Sequence, residues 1–235
     1  MEAMLPFPGI SSLHAHIWSL ECLLNIAYRL YFKQWYKQGQ VNKNICDTRR
    51  KSLISQFRQE TELLIDIPKP GFRNTNHGNT ARRFFQGPEI SARITGIDQM
   101  LIYRFSILLK ASSSGYDVDP QLYDLYAFDT AKIYVTLHEW YLMSPTLHKI
   151  LFPGKHVINN FQLSISQLSE DVQESRHKEL RVFREHNTRK ISRQSTNSDL
   201  IRVLLTSSDP YIFGIRLLPP KKSYVLNKDA ISFLK

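Results

Sequence analysis

Cysteine is scarce: Cys22 and Cys46 are the only two in 235 residues, they stand far apart, and no CxxC occurs. Two such thiols make no disulfide framework for a chain of this size and point to a reducing compartment. Nor can they hold zinc alone, because a structural zinc takes about four ligands at close spacing. Long apolar runs are missing as well. No stretch approaches the ~20 residues of a membrane span, and residues 1–10 lack the basic-then-apolar order of a secretory signal. Strand signals are few. There is no βαβ alternation, no glycine-rich phosphate loop and no internal repeat, which disfavours a nucleotide-binding α/β domain. A nucleophile elbow and an HExxH zinc motif are also missing. The expectation is a soluble intracellular protein.

What the chain has is positive charge and helical periodicity. Thirty-one Lys and Arg against 21 Asp and Glu leave a net charge of +10. Such an excess favours a polyanionic partner, nucleic acid before membrane. The apolar share of 42% is that of a folded protein, and the length allows one large domain or two small ones. Leu13, Ile17, Leu20, Leu24, Ala27 and Tyr31 recur at helical spacing after Ser11 or Ser12, predicting a helix to about Tyr36. Residues 43–65 predict a second helix, burying Ile45, Leu53, Phe57 and Leu64. Breaks follow at Pro68–Gly71 and Gly87–Pro88, with a short basic turn at Thr80–Phe85 between them. Residues 97–110 and 120–140 predict two further helices, Ser144–Pro145 starts another, and Asn197 or Ser198 caps a last one to about Leu205. The expected layout is a helical pair over 1–66, a basic loop with short helices over 67–96, a helical region over 97–208 and a loosely ordered tail over 209–235.

Residues 168–186 are the most amphipathic segment. On a helical wheel Leu168, Val172, Leu180 and Phe183 share the core side, while Glu174, Lys178, Arg181 and Glu185 fall opposite. Arg176, Lys178, Arg181, Arg184, Arg189, Lys190 and Arg193 are opposed over that stretch only by Glu179 and Glu185. Such a stripe can neutralise phosphates. A lone carboxylate such as Glu174 does little chemistry, since two-metal phosphoryl transfer needs several acids holding cations ~3.5–4 Å apart.

Several blocks occur in order: Gly78-Asn79-Thr80-Ala81-Arg82-Arg83-Phe84-Phe85, Ile94-Thr95-Gly96-Ile97, Ser144-Pro145-Thr146-Leu147-His148-Lys149-Ile150-Leu151, the stretch Gln167 to Lys178, and Phe183 to Lys190. Asn197 and Ser207-Ser208-Asp209-Pro210 close the series. Over roughly residues 10–210 the chain resembles the C-terminal portion of Transib-type transposases, relatives of the catalytic recombinase subunit of V(D)J recombination. The resemblance implies a mainly α fold, the multi-helix C-terminal portion of an RNase H-like DDE transposase lacking most of the catalytic sheet. It implies that Glu174 is the last acid of a divalent-metal set and that its helix contributes basic contacts toward DNA.

The family's two aspartates and its CxxC lie upstream of the matched region, so Mg²⁺ is expected only where the missing acids are supplied. Zinc is not expected. His148 matches the first histidine of the family's zinc site, but Pro153 stands where the second belongs and His156 is three residues further on. Arg82 and Arg83 read either as phosphate contacts beside Gly78 or as solvated cations next to a core-facing Phe84–Phe85 pair, with Asn79 or Thr80 as the cap.

The expected function is that of a truncated or domesticated transposase remnant in the nucleus, binding DNA but not cleaving it alone. A helical protein-interaction module and the C-terminal part of an active transposase are the alternatives. DNA and a second copy or a full-length transposase are the expected partners, with no membrane and no small-molecule substrate. Lacking an upstream surface to pack on, the first helix is expected to leave Trp18 and Leu23 exposed.

Overall fold

The computed structural model of the chain describes residues 12–36, 39–68, 75–114, 116–152, 171–215 and 228–232. Every element among them is an α-helix, and none is long and apolar enough to cross a membrane. The chain divides into two compact units, one of residues 1–168 and 226–235 and one of residues 169–225. The boundary falls inside the expected 97–208 region.

In the larger unit, α1 (Ser12–Arg29) buries twelve of its eighteen residues, too many for a surface helix and enough to need neighbours on most sides. It packs against α2 (Gly39–Thr61), α3 (Gly78–Gln86), α5 (Gln99–Ser113) and α7 (Pro145–Leu151). Leu23 is therefore 0% exposed, correcting the expected lack of cover, while Trp18 on the outer side is 47% exposed. α1 ends at Arg29, short of Tyr36, because the amides of Phe32 and Lys33 both donate to the Arg29 carbonyl and Lys33 turns left-handed at φ +46°.

α2 buries Cys46, Leu53 and Phe57 as one stripe. Its end at Thr61, followed by Glu62 at φ +55°, changes the period: Leu63 and Ile65 point inward and Leu64, expected in the core, points out. Ile45 is half-buried. The basic turn at Thr80–Phe85 is a full helix, α3, capped by His77 rather than Asn79 or Thr80. Gly78 lets α3 lie close against α1, since a Cβ there would stand 2.3 Å from Leu13 Cδ1. Phe84 and Phe85 enter the core.

Gly87–Pro88 is a break that also starts α4 (Pro88–Thr95), where proline at the first position gives up an amide that has no helical partner. Gly96 closes α4 in the left-handed region, φ +76°, its amide donating to the Ala92 carbonyl at 2.7 Å. Asp98 caps α5 through the Leu101 amide at 2.8 Å, and Asp119 caps α6 (Pro120–His138) through those of Gln121 and Leu122. Ser144 caps α7. Pro153 and His156 lie outside the described residues.

The end of the expected loose tail also belongs to this unit. α11 (Lys228–Ile231) packs against α5, Ala230 is fully buried, and the Tyr103 hydroxyl donates to Asp229 Oδ2 at 2.7 Å. Residues 216–227 lie outside the described residues.

The smaller unit holds α8 (Asp171–His186), α9 (Arg193–Ser208) and α10 (Pro210–Ile215). α9 begins at a Ser192 cap, whose hydroxyl accepts the Ser195 amide at 3.1 Å, so Asn197 and Ser198 lie inside the helix instead of starting it. Asp209 accepts the Tyr211 and Ile212 amides and starts α10, a further helix in the expected tail. Of this unit's described side chains only Ser207 is buried; Leu180 and Phe183 are half-buried. Leu168 and the side chain of Val172 lie outside the described residues.

The core of the larger unit can be probed at two positions. Leu23→Ala should lower its unfolding free energy by about 2–5 kcal/mol in urea titrations, as for other large-to-small changes at buried helical positions. The second position is His138, buried beside the Tyr134 and Trp140 rings with neither ring nitrogen hydrogen-bonded. Burial pushes its pKa below the ordinary imidazole value; nearby Asp98 opposes this and Lys33 adds to it. The unfolded chain then takes up a proton at higher pH than the folded one. Stability from this site should be complete above about pH 6.5 and fall as the pH drops below it. Calorimetry should find that decline reduced in His138→Phe.

Candidate nucleic-acid interface

The expected DNA contacts fall on both units and in different bonding states. In the larger unit the guanidinium groups are largely occupied by the protein's own oxygens. Arg83 donates to the Thr61 carbonyl at the end of α2, at 2.6 Å, and Arg49 donates to the Thr95 carbonyl at the end of α4, at 3.1 Å. Helix C-termini leave carbonyls without partners and carry partial negative charge, so arginine is well suited to both places. Arg50 binds the Asp66 carboxylate and carbonyl, Arg93 pairs with Glu60, and Arg104 bonds Thr130 Oγ1 and the Tyr126 carbonyl. Arg82 is half-buried on α3 beside Gly78. The close approach that Gly78 permits is to Leu13, an internal contact.

In the smaller unit two of the expected contacts hold the helices together. Arg189 donates to Asp199 from its main-chain nitrogen at 2.9 Å and from Nε and Nη2 at 3.0 Å each, and its carbonyl accepts from Thr196 Oγ1. Those bonds from Arg189 hold the Asp199 carboxyl down to about 2. At the other end, Arg176 pairs with Glu179 and reaches across to Ser207 Oγ and Ser208 Oγ at 3.1 and 2.8 Å. The turn between α8 and α9 is thus closed by a bidentate clasp, and the open end by a guanidinium fork.

The remaining cations point outward. Lys178, Arg184, Lys190 and Arg193 are exposed and have no side-chain partner among the described residues. Arg181 is exposed and pairs with Glu185 at 3.6 Å, a geometry worth little in water. Between α8 and α9 lies an open groove of about 750 Å³, with Leu180 and Leu200 in its lining and His177, Arg181, Arg184 and Lys190 around it. Arg202 is a further exposed cation, beside Asp199 and Arg189. Sequence spacing does not single it out, because it comes near the others only when α9 folds back along α8. Residues 176–215 carry eight Lys and Arg against four Asp and Glu.

Glu174 belongs to α8, and its side chain lies outside the described residues. Among the described residues no three His, Cys, Asp or Glu side chains converge as metal ligands. His148 is exposed on α7 and stacks on Phe152, ring centroids 4.7 Å apart. Cys22 and Cys46 are free and buried within α1 and α2.

Asp199→Ala should open the turn: the Arg189 amide is left without its acceptor, and tryptic cleavage after Arg189 should become several-fold faster under native conditions. An unchanged digestion pattern would contradict the clasp. The chain matches no protein-family model and no curated protein.

Proposed function

We propose that this protein binds double-stranded DNA through the outward cations of the α8–α9 hairpin, as a Transib-type transposase remnant that does not cleave DNA by itself. The observation that carries the reading is the division of labour among basic residues. Arg176 and Arg189 lock the hairpin, and Lys178, Arg184, Lys190 and Arg193 extend from it with no partner among the described residues. Cations set along one hairpin suit a phosphate backbone, whose counterions they release on binding. The net charge of +10 acts in the same direction by attracting a polyanion at long range.

The transposase part of the reading rests on the order of the sequence blocks that include the Glu174 helix. In that reading Glu174 is the last acid of an RNase H-like metal set, and Mg²⁺ is bound only where other acids join it. A nuclear location and assembly with a second copy or a full-length transposase belong to the same proposal.

Titrating duplex DNA binding against salt tests it. Affinity should fall linearly on logarithmic axes, and replacing Lys178, Arg184, Lys190 and Arg193 with Ala should shrink the slope by roughly 0.9 for each phosphate that the variant no longer neutralises. Arg83→Ala, at a helix end, should leave the slope unchanged. A variant slope equal to that of the parent protein would refute the assignment. With Mg²⁺ or Mn²⁺ the chain alone should leave duplex DNA intact, and metal-dependent cleavage abolished by Glu174→Gln would show an active enzyme instead.

A further inference from the structure

The corner between α1 and α2 sorts its aromatic rings into two groups. Residues 31–36 read Tyr-Phe-Lys-Gln-Trp-Tyr. Phe32 and Trp35 pack on the core, the Trp35 and Tyr141 ring centroids 4.5 Å apart. Tyr31 and Tyr36 face water, 70% and 68% exposed. Each displayed ring is propped by a neighbour. The Arg49 guanidinium stands over Tyr31, 5.3 Å from the ring centroid, while donating to the Thr95 carbonyl. Tyr36 lies nearly perpendicular to Trp35, centroids 6.4 Å apart. Between them the Gln34 carboxamide oxygen accepts from Asn42 Nδ2 at 3.1 Å. Asn42 and Arg49 are seven residues apart on one stripe of α2, so the corner runs along that stripe for roughly 10 Å. Cations accompany the rings. Lys33 lies between the two tyrosines in sequence and Lys43 follows Asn42, both exposed and without a side-chain partner among the described residues. Asp47, the one acid between Arg29 and Lys51, falls on the other side of α2 from Asn42 and Arg49.

We propose that this corner binds an unpaired strand of nucleic acid, stacking bases on Tyr31 and Tyr36 while Lys33 and Lys43 neutralise its phosphates. Exposed rings interleaved with cations suit such a strand, and stacking tolerates any sequence because every base has a π face. Arg49 is attracted to one face of Tyr31 and leaves the other for a base. A span of about 10 Å takes three nucleotides at the ~3.4 Å rise of stacked bases. A lipid surface asks instead for Trp, Phe or Leu at the tip. Here Phe32 and Trp35 turn inward and the outward rings carry hydroxyls. The site belongs to the larger unit and does not rest on the proposed duplex binding by the α8–α9 hairpin.

The test uses the full chain and fluorescent oligo(dT) and oligo(U) of about 12 nucleotides. Anisotropy titrations are run in the parent and in the chain with Lys178, Arg184, Lys190 and Arg193 changed to Ala, which removes attraction by the hairpin. In the second background Tyr31→Ala with Tyr36→Ala should weaken strand binding by roughly tenfold or more. The salt slope should stay the same, because no charge is lost. Tyr31→Phe with Tyr36→Phe should restore affinity, and an abasic strand of equal length should bind the Tyr and Ala chains alike. Either oligonucleotide suffices, and the tighter of the two tells DNA from RNA. Equal affinity of the Tyr and Ala chains for both oligonucleotides overturns the proposal, as does an equal loss on the abasic strand. Loss of binding only to vesicles of phosphatidylserine and phosphatidylcholine overturns it in favour of a membrane. Duplex DNA is titrated alongside: a hairpin effect on duplex without a tyrosine effect on single strands defeats this proposal alone, and the converse defeats the duplex reading alone.

Discussion

The larger unit is organised by the need to surround α1. Ala15, Leu20, Leu23, Leu24, Ile26 and Ala27 spread around much of its circumference and are all within 2% of complete burial. α2, α3, α5 and α7 all pack against it. That demand explains why Gly78 stands where α3 meets Leu13. Assembling helices this densely places their C-termini within reach of neighbours. Arg49 and Arg83 satisfy carbonyls there that water would otherwise have to reach.

The smaller unit obeys a different rule. Its helices are held by Arg189–Asp199 at the turn and Arg176 with Ser207 and Ser208 at the open end, and among the described side chains no apolar one between them is fully buried. A polar clasp gives directional hold with a modest net gain, since each bond replaces one to water. It leaves cations outward, the feature on which the proposed DNA binding rests. Guanidinium groups are thus mostly bound internally in the larger unit, whereas in the smaller one Arg176 and Arg189 lock the hairpin and Lys178, Arg184, Lys190 and Arg193 are displayed.

Helix existence was legible where the local chemistry was strong. Pro120 after Asp119 and Pro145 after Ser144 announce their helices, and the stripe Leu53–Phe57 announces α2. Where the sequence misled, the physics was ambiguous at short range. Gly87–Pro88 reads as a break and is one, yet the same proline also opens α4. Asn197 is as good a cap as Ser192 by composition, and the Arg189–Asp199 clasp favours the earlier start by fixing the turn. Leu64 fits a helical stripe only while the helix continues, and Glu62 ends that.

The amino-acid sequence by itself determined the helical class, the excess of positive charge and the place of the basic stripe along α8 and its turn. These are local or summed properties, carried by residue type and spacing of three or four positions. Only the tertiary structure decided which cations are occupied. Arg83 and Lys190 look alike in the chain, but one meets a helix-end carbonyl twenty-two residues away and the other meets none among the described residues. The same holds for Leu23 and Ile201, one enclosed and one in water. Hydrogen-bond partners and cover for an apolar face come from segments distant in sequence, and no spacing rule within a helix contains them.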